Sequence, residues 1–266
     1  EGENVAVCAV RGNFDDAQTG VKAIFTNPAL RERLADNGMQ FSSANSINWG
    51  RLLPQVVYYI SSYAELVAAG KIEAGCPIDV CVPTGNFGNI LAAWYAKQIG
   101  VPIERLLCAT YDISDREFIL TSSPSMDILV SSNLERQLFE LTGRNGEAIR
   151  QWMADLADAR CFRVDAETFR RVRENFSADS VDNATCLATI REVLDAHDYL
   201  LDPHTAVAYA AAQNLRGENP VLIASTAHWA KFGDNVYRAI HGIEPSGELP
   251  ADVTALTGCE LNKLIA

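Results

Sequence analysis

Three short segments concentrate residue types that handle anions and protons. The first is Val82-Pro83-Thr84-Gly85-Asn86-Phe87-Gly88-Asn89-Ile90. Its two glycines let backbone N–H groups turn inward and approach an anion closely, and a helix starting behind them adds unpaired N–H groups and a favourable dipole. Gly85, Asn86, Phe87, Gly88 and Asn89 therefore read as a phosphate cradle. The segment lacks the Lys-Ser/Thr ending of a P-loop, which disfavours Mg-nucleotide chemistry, and its G-x-x-G spacing differs from the G-x-G-x-x-G of dinucleotide folds. Two glycines in a strand-to-helix turn also serve packing alone, so this segment by itself leaves both readings open. The second segment, Ser225-Thr226-Ala227-His228-Trp229-Ala230-Lys231-Phe232, brings hydroxyls, an imidazole and an amine together just past an expected strand, where open α/β sheets place ligands. A capped helix start would use the same residues. The third, Asn45-Ser46-Ile47-Asn48-Trp49-Gly50-Arg51, is a polar turn opening a helix, with an arginine able to grip a phosphate bidentately. Capping alone would also account for Ser46 or Asn48. Leu201-Asp202-Pro203-His204-Thr205 reads most simply as a helix cap, and Ser122-Ser123-Pro124-Ser125-Met126-Asp127 as a loop.

The elements that must position these segments alternate. Apolar runs bounded by Gly, Pro and Asn exchange with helical patterns through most of the chain, the signature of an open α/β fold with parallel strands and flanking helices. Strands are predicted at residues 5–10, more weakly at 40–43, then at 78–82 and 220–224. Helices are predicted at about 15–25, 49–66, 89–98, 133–142, 147–157, 166–176, 183–197 and 205–215, with little strand propensity from 133 to 197. In the second of these, Leu52, Leu53, Val56, Val57, Ile60 and Tyr63 fall at helical spacing. Cys76-Pro77 and the polar stretch before it divide the chain, with residues 1–75 assigned to a smaller α/β domain and 76–266 to a larger, ligand-binding one.

Composition sets outer limits. At 266 residues with 48% hydrophobic and 21% charged content the chain can bury a sizeable core, and no apolar stretch approaches the roughly 20 residues a membrane-spanning helix needs. A formal charge of −12 argues against a nucleic-acid or anionic-membrane role. The seven cysteines are odd in number, without a C-x-x-C pair, and read as buried thiols in a reducing cytoplasm rather than as disulfides or a zinc site. The five lysines are Lys22, Lys71, Lys97, Lys231 and Lys263, so lysine chemistry has few candidates. The chain opens Glu-Gly-Glu-Asn with neither an initiator Met nor a signal-peptide pattern, and is expected to be a piece of a longer protein.

Taken together, the segments resemble threonine synthase of the longer bacterial and fungal type. The resemblance runs through Gly12-Asn13-Phe14-Asp15-Asp16, Val21-Lys22-Ala23-Ile24-Phe25, the turns opening at Asn45 and Pro83, Ser123-Pro124-Ser125-Met126-Asp127-Ile128, Ser131-Ser132-Asn133-Leu134-Glu135-Arg136, Leu201-Asp202-Pro203-His204-Thr205-Ala206-Val207 and Ser225-Thr226-Ala227-His228. It implies pyridoxal-phosphate fold type II, of the tryptophan-synthase-β kind, and conversion of O-phospho-L-homoserine and water to L-threonine and phosphate by γ-elimination and β-addition of water. It further implies that Gly85, Asn86, Phe87, Gly88 and Asn89 hold the cofactor phosphate through backbone amides and that the Thr226 hydroxyl faces the pyridine nitrogen. Asn45, Ser46, Asn48 and Arg51 would lie on the substrate side.

Two departures from the family pattern stand out. The Schiff-base lysine of the family lies in a Phe-Lys-Asp segment that this chain lacks, so it is expected upstream, leaving no catalytic residue of that kind here. A longer Asn-containing loop of the family is also absent around Cys108-Ala109-Thr110-Tyr111-Asp112, and residues are expected to be missing between Thr110 and Tyr111. Two alternatives stand beside this reading: another fold-type-II lyase such as a serine or threonine dehydratase, and a catalytically empty phosphate- or pyridoxal-phosphate-binding module. The oligomeric state is open.

Overall fold

The sheet that carries the structure has four parallel strands, β1 (Ile78–Pro83), β2 (Ile103–Tyr111), β3 (Phe176–Val181) and β4 (Val221–Ile223), in the spatial order β3-β2-β1-β4. It belongs to a computed structural model that describes residues 3–4, 6, 8, 10–12, 14–43, 48–111, 121–128 and 130–246. Ten helices surround it among the described residues: α1 (Phe14–Thr26), α2 (Pro28–Asp36), α3 (Trp49–Ala68), α4 (Gly88–Gln98), α5 (Leu134–Leu141), α6 (Gly146–Ala159), α7 (Ala166–Asn175), α8 (Asn183–His197), α9 (Pro203–Asn214) and α10 (Gly233–His241). Among them none is long and apolar enough to cross a membrane.

Strand alternation sorts the core into two layers, because successive side chains point to opposite faces. Ile78, Val80 and Val82 of β1 and Leu106 of β2 pack against Leu52, Val56 and Tyr59 of α3 and Ile90, Leu91 and Trp94 of α4. Cys81 of β1 and Leu107, Ala109 and Tyr111 of β2 point the other way. They meet Ile190 of α8, the alanine-rich face of α9, and Val236 of α10. All six residues of β1 are buried, as a central strand covered by helices on both faces requires.

Pro83 ends this central strand without breaking its ladder. The amides of Ile78 and Thr84 donate toward β2 and its approach, whereas Asp79 donates to Pro220 on the β4 side. By the same alternation the missing N–H of Pro83 faces the β4 side, beyond the last paired residue of β4, Ile223. The two neighbours of β1 are thus reached by connections running in opposite directions, which makes the gap between the carboxyl ends of β1 and β4 a topological switch point.

The predicted strand at 78–82 and the helices from 49 onward correspond to elements of the structure, and the last strand is present as the shorter β4. Elsewhere the structure departs from the expected elements. β2 opens with Glu104 and Arg105, charges that hide its apolar alternation; Arg105 is accommodated because it pairs with Asp79, which is fully buried. β3 reads Phe-Ser-Ala-Asp-Ser-Val, a sequence of low strand propensity that becomes a strand by pairing along the edge of β2. α10 follows the exit turn, marked by Val236 and Ile240 on one face and Gly242 in a left-handed conformation at its end. In the amino-terminal part, Ala6, Cys8 and Val10 are exposed and in no strand, residues 40–43 are likewise irregular, and the rest of 5–10 lies outside the described residues. On α3, Leu52, Val56 and Tyr59 are buried, but Leu53, Val57 and Ile60 of the same apolar pattern are exposed. β2 runs unbroken through Thr110 and Tyr111, which pair with Ser180 and Val181, so any departure in loop length falls after Tyr111, where residues 112–120 lie outside the description.

The expectation of uniformly buried thiols is also modified. Cys81 and Cys186 are buried, and burial pushes their thiols up to about 12 and about 11 respectively, whereas Cys161 is exposed. Because the thiolate is the reactive form, brief iodoacetamide treatment of the native chain near pH 8 should modify Cys161 and spare Cys81 and Cys186. Peptide mass mapping checks this, and equal labelling of all three would contradict the placement of α8 and β1.

Candidate active site

The switch point opens into a cleft of about 760 Å³. Residues 82–90 form one wall and residues 222–227 another, with Arg51, Gln55, Tyr58, Tyr59 and Ser62 of α3 above them and Ser125, Met126, His204 and Lys231 completing the lining.

The cradle is shaped by backbone constraint. Gly85 passes so close to the 3-10 turn at Pro124–Met126 that a Cβ there would lie 2.4 Å from the Ser125 carbonyl oxygen and 3.2 Å from the Met126 Cα. Only glycine fits. Two residues on, Phe87 adopts a left-handed conformation (φ 62°), unusual for a bulky residue, with its ring 5.6 Å from that of Phe176. A left-handed residue followed by helical ones turns consecutive N–H groups to the same side, the geometry of an anion-binding nest. No side chain caps α4 at Phe87, in contrast to α3, α6, α7, α8 and α9, each capped by an Asn or Asp. Among the described residues the first N–H groups of α4 thus lack a capping side chain, at the helix start whose residues Gly88, Asn89 and Ile90 line the cleft, and an anion there would gain both hydrogen bonds and the helix dipole.

A second loop holds the cradle from outside. The Ser131 hydroxyl donates to the Gly85 carbonyl, the Ser132 hydroxyl lies 3.1 Å from Asn86 Oδ1, and both the amide and the side-chain nitrogen of the fully buried Asn133 donate to the Asn86 carbonyl, at 3.1 and 3.0 Å. The Arg136 guanidinium donates to Asn133 Oδ1 at 3.0 Å and lies 5.7 Å from the Trp49 ring centre, tying this loop to the start of α3. On the far side, the Tyr59 hydroxyl donates to Asn89 Oδ1, and burial raises its pKa well above the ordinary phenol value, so it acts as a neutral donor. Ser131, Ser132, Asn133 and Arg136 entered the sequence reading only as part of the resemblance, with no role assigned, and Tyr59, Gln55, Tyr58 and Ser62 were not singled out in sequence. A face of α3 spaced 51, 55, 58, 59, 62 would have revealed the last group, but the apolar pattern of the same helix masked it.

Gly85, Asn86, Phe87, Gly88, Asn89, Thr226 and Arg51 all line the cleft. Asn48 is engaged as the cap of α3: its Oδ1 accepts from the Gly50 amide at 2.9 Å and its Nδ2 donates to the Ser43 carbonyl at 2.9 Å. Asn45 and Ser46 lie outside the described residues. Lys231 is the one described lysine that lines the cleft; Lys97, at the end of α4, donates instead to the Glu104 carbonyl.

Asp202 closes the site from below. It caps α9 by accepting from the His204 amide at 2.9 Å, and it also accepts from the Thr205 hydroxyl, which lies 3.2 Å from Ser225 Oγ. Burial pushes the Asp202 carboxyl up, but the hydrogen bonds from His204 and Thr205 and the neighbouring imidazole together outweigh it, leaving the pKa below the usual carboxylate value. A carboxyl depressed in the folded state stabilises the fold above its unfolded value of about 4, and that contribution is lost as pH falls through the folded value. Asp202→Asn should therefore melt at a lower temperature than wild type at pH 7, with the difference shrinking as pH is taken from about 5 toward 2. Gly85→Ala should cost about 1–3 kcal/mol in denaturant titrations, because the new methyl meets backbone rather than a movable side chain; a neutral effect would mean that the Pro124–Met126 turn does not press on the cradle.

With this geometry in place, comparison with known proteins is informative. Residues 205–262 match the family model described as threonine synthase, C-terminal. The chain is 42% identical over 254 residues to human threonine synthase-like 1, an alignment covering 90% of this chain and 34% of that protein. It is 36% identical over 269 residues to threonine synthase of Pseudomonas aeruginosa, covering 96% and 55% respectively. Among solved structures, pyridoxal-phosphate-bound threonine synthase from Brucella melitensis superposes with a TM-score of 0.76 at 39% identity, over 94% of this chain and 54% of that one. Yeast threonine synthase gives 0.73 at 32% identity over the same shares. The chain thus spans from about a third to just over half the length of these relatives. Sequence, fold and the fold-type-II arrangement of the sheet agree, and the chain belongs to the threonine synthase family, corresponding to the C-terminal part of its members.

Proposed function

We propose that this chain is part of a pyridoxal-5'-phosphate-dependent carbon–oxygen lyase that converts O-phospho-L-homoserine and water to L-threonine and phosphate. The observation that carries the reading is the cleft at the switch point, where a glycine-restricted nest and an uncapped helix start face Thr226 and Arg51 across one cavity. These residues fit the group. The cofactor's phosphate ester matches the nest, and the Thr226 hydroxyl, on the chain leaving β4, can meet a ring nitrogen.

When bound, pyridoxal 5'-phosphate supplies the electron sink for loss of phosphate from Cγ and addition of water at Cβ. The protein's share is orientation and electrostatics. Amides of residues 85–89 would anchor the phosphate ester, and the neutral Thr226 hydroxyl would leave the ring nitrogen free of the protonation a carboxylate would enforce. Arg51 and Lys231 place positive charge in the cleft for the substrate's phosphate or carboxylate. Asn45, Ser46 and Asn48 are proposed to support the substrate side through the turn that starts α3. The lysine that links the cofactor is proposed to come from a segment outside these residues, and residues 1–75 and 76–266 to contribute to two domains of a cytoplasmic enzyme.

A second reading is favoured by the scarcity of lysines at the cleft: a module that binds the cofactor reversibly and performs no chemistry. The full-length natural protein separates the readings. The enzyme should show a visible cofactor band that changes on adding O-phospho-L-homoserine, release inorganic phosphate, and carry one borohydride-fixed lysine in the upstream segment. Binding without phosphate release or a fixed lysine would establish the module, fixation on Lys231 would overturn the assignment of the linking lysine, and ammonia release from L-serine or L-threonine alone would indicate a dehydratase.

A further inference from the structure

His204 is an unusual resident of a helix start. It sits one residue inside α9, 2% exposed, among the residues lining the cleft, and its Nε2 is buried with no hydrogen-bond partner among the described residues. Leaving a buried polar atom unpaired is unfavourable, so such an atom calls for an explanation. The remainder of the ring is firmly held. Nδ1 lies 3.1 Å from Asp202 Oδ1, and the Phe232 ring is tilted against it at 4.7 Å between centroids.

The tautomer follows from the partner. An ionised carboxylate only accepts hydrogen bonds, and Asp202 is held in that form by the contacts that depress its pKa. Nδ1 must then carry the proton, and in the neutral ring Nε2 is left with a lone pair. Asp202 thus does two jobs with one carboxylate: it caps α9 and fixes which imidazole nitrogen carries the proton. Through Thr205 it also stands one hydroxyl away from Ser225, the neighbour of Thr226.

We infer that Asp202 and His204 form a positioning pair whose Nε2 accepts a hydrogen bond from an O–H or N–H of the ligand in the cleft. The inference rests on the proposed function for the identity of that ligand. It explains why an imidazole, rather than an apolar side chain of similar size, occupies this buried place: the unpaired nitrogen is completed only when the cleft is filled. His204 needs to transfer no proton for this role, and Asp202 acts only through it.

Long-range proton–nitrogen NMR on the full chain labelled with 15N-histidine reads the lone pair directly, His204→Asn identifying the signal. Nε2 should show the deshielded signal of an unprotonated nitrogen and move upfield on saturation with pyridoxal phosphate, or only when O-phospho-L-homoserine is then added; the two additions distinguish a cofactor donor from a substrate donor. His204→Asn, which can still reach Asp202 but ends short of Nε2, should weaken binding of that ligand about tenfold with little change in melting temperature. His204→Gln, whose amide reaches the Nε2 position, should recover most of the loss. An Nε2 signal unmoved by both additions while absorbance reports bound cofactor would overturn the pair and leave the proposed function standing. So would wild-type affinity in His204→Asn. Failure of the wild-type protein to bind the cofactor at all would overturn both.

Discussion

The contact between Gly85 and the carbonyl of Ser125 leaves no room for a Cβ, and much of the site depends on that closeness. It fixes the strand-to-helix turn against the Pro124–Met126 turn, so the cradle cannot drift outward. The left-handed Phe87 then aims the following N–H groups into the cleft, and hydrogen bonds from Ser131 and Asn133 occupy the carbonyls that point away from it. The turn is thus satisfied on its outer side by protein and left open on its inner side. A site built in this way would meet an anion without reorganising, because its dipoles are already set by packing.

The same economy governs the opposite wall. Asp202 is buried and acidic, which alone would be unfavourable, yet four donors from the first turn of α9 surround it. The cost of its burial is offset by a helix cap and by the fixing of the His204 ring. α9 itself is nearly all alanine and small residues where it crosses β1 and β2, so it can lie close to the sheet and bring its start to the strand ends. Close packing of a helix and the position of a polar pair at its tip are therefore one structural fact.

The alternation of apolar runs and helical patterns was enough to place β1, the turn after it and most helices, because a central strand buried on both faces and a helix with one apolar face each leave a periodic trace. The turn was legible for the same reason: Gly85 and Gly88 stand at a strand-to-helix boundary, although packing alone could also have placed glycines there. β2 and β3 were not legible. A charge pair hidden at the start of β2 and a polar edge in β3 acquire strand structure from their neighbours, and nothing local announces it. The cap at Asp202 could be read from Asp-Pro spacing alone, but the burial of the imidazole beside it could not.

By itself, then, the sequence determined the class of fold, the strand-to-helix turn that carries Gly85 and Gly88, and the kinship that the comparisons bear out, since these rest on local backbone preferences and on ordered motifs. Tertiary structure decided which residues share the cleft. It brought Arg51, from a helix more than thirty positions upstream of the cradle, and His204 and Thr226, more than a hundred positions beyond it, to the carboxyl ends of two adjacent strands. It also turned Asn48 into a cap and left His204 Nε2 without a partner among the described residues. Periodicity encodes which face a residue shows to its own element; only the pairing of β1 with β4 at a switch point decides which distant faces meet.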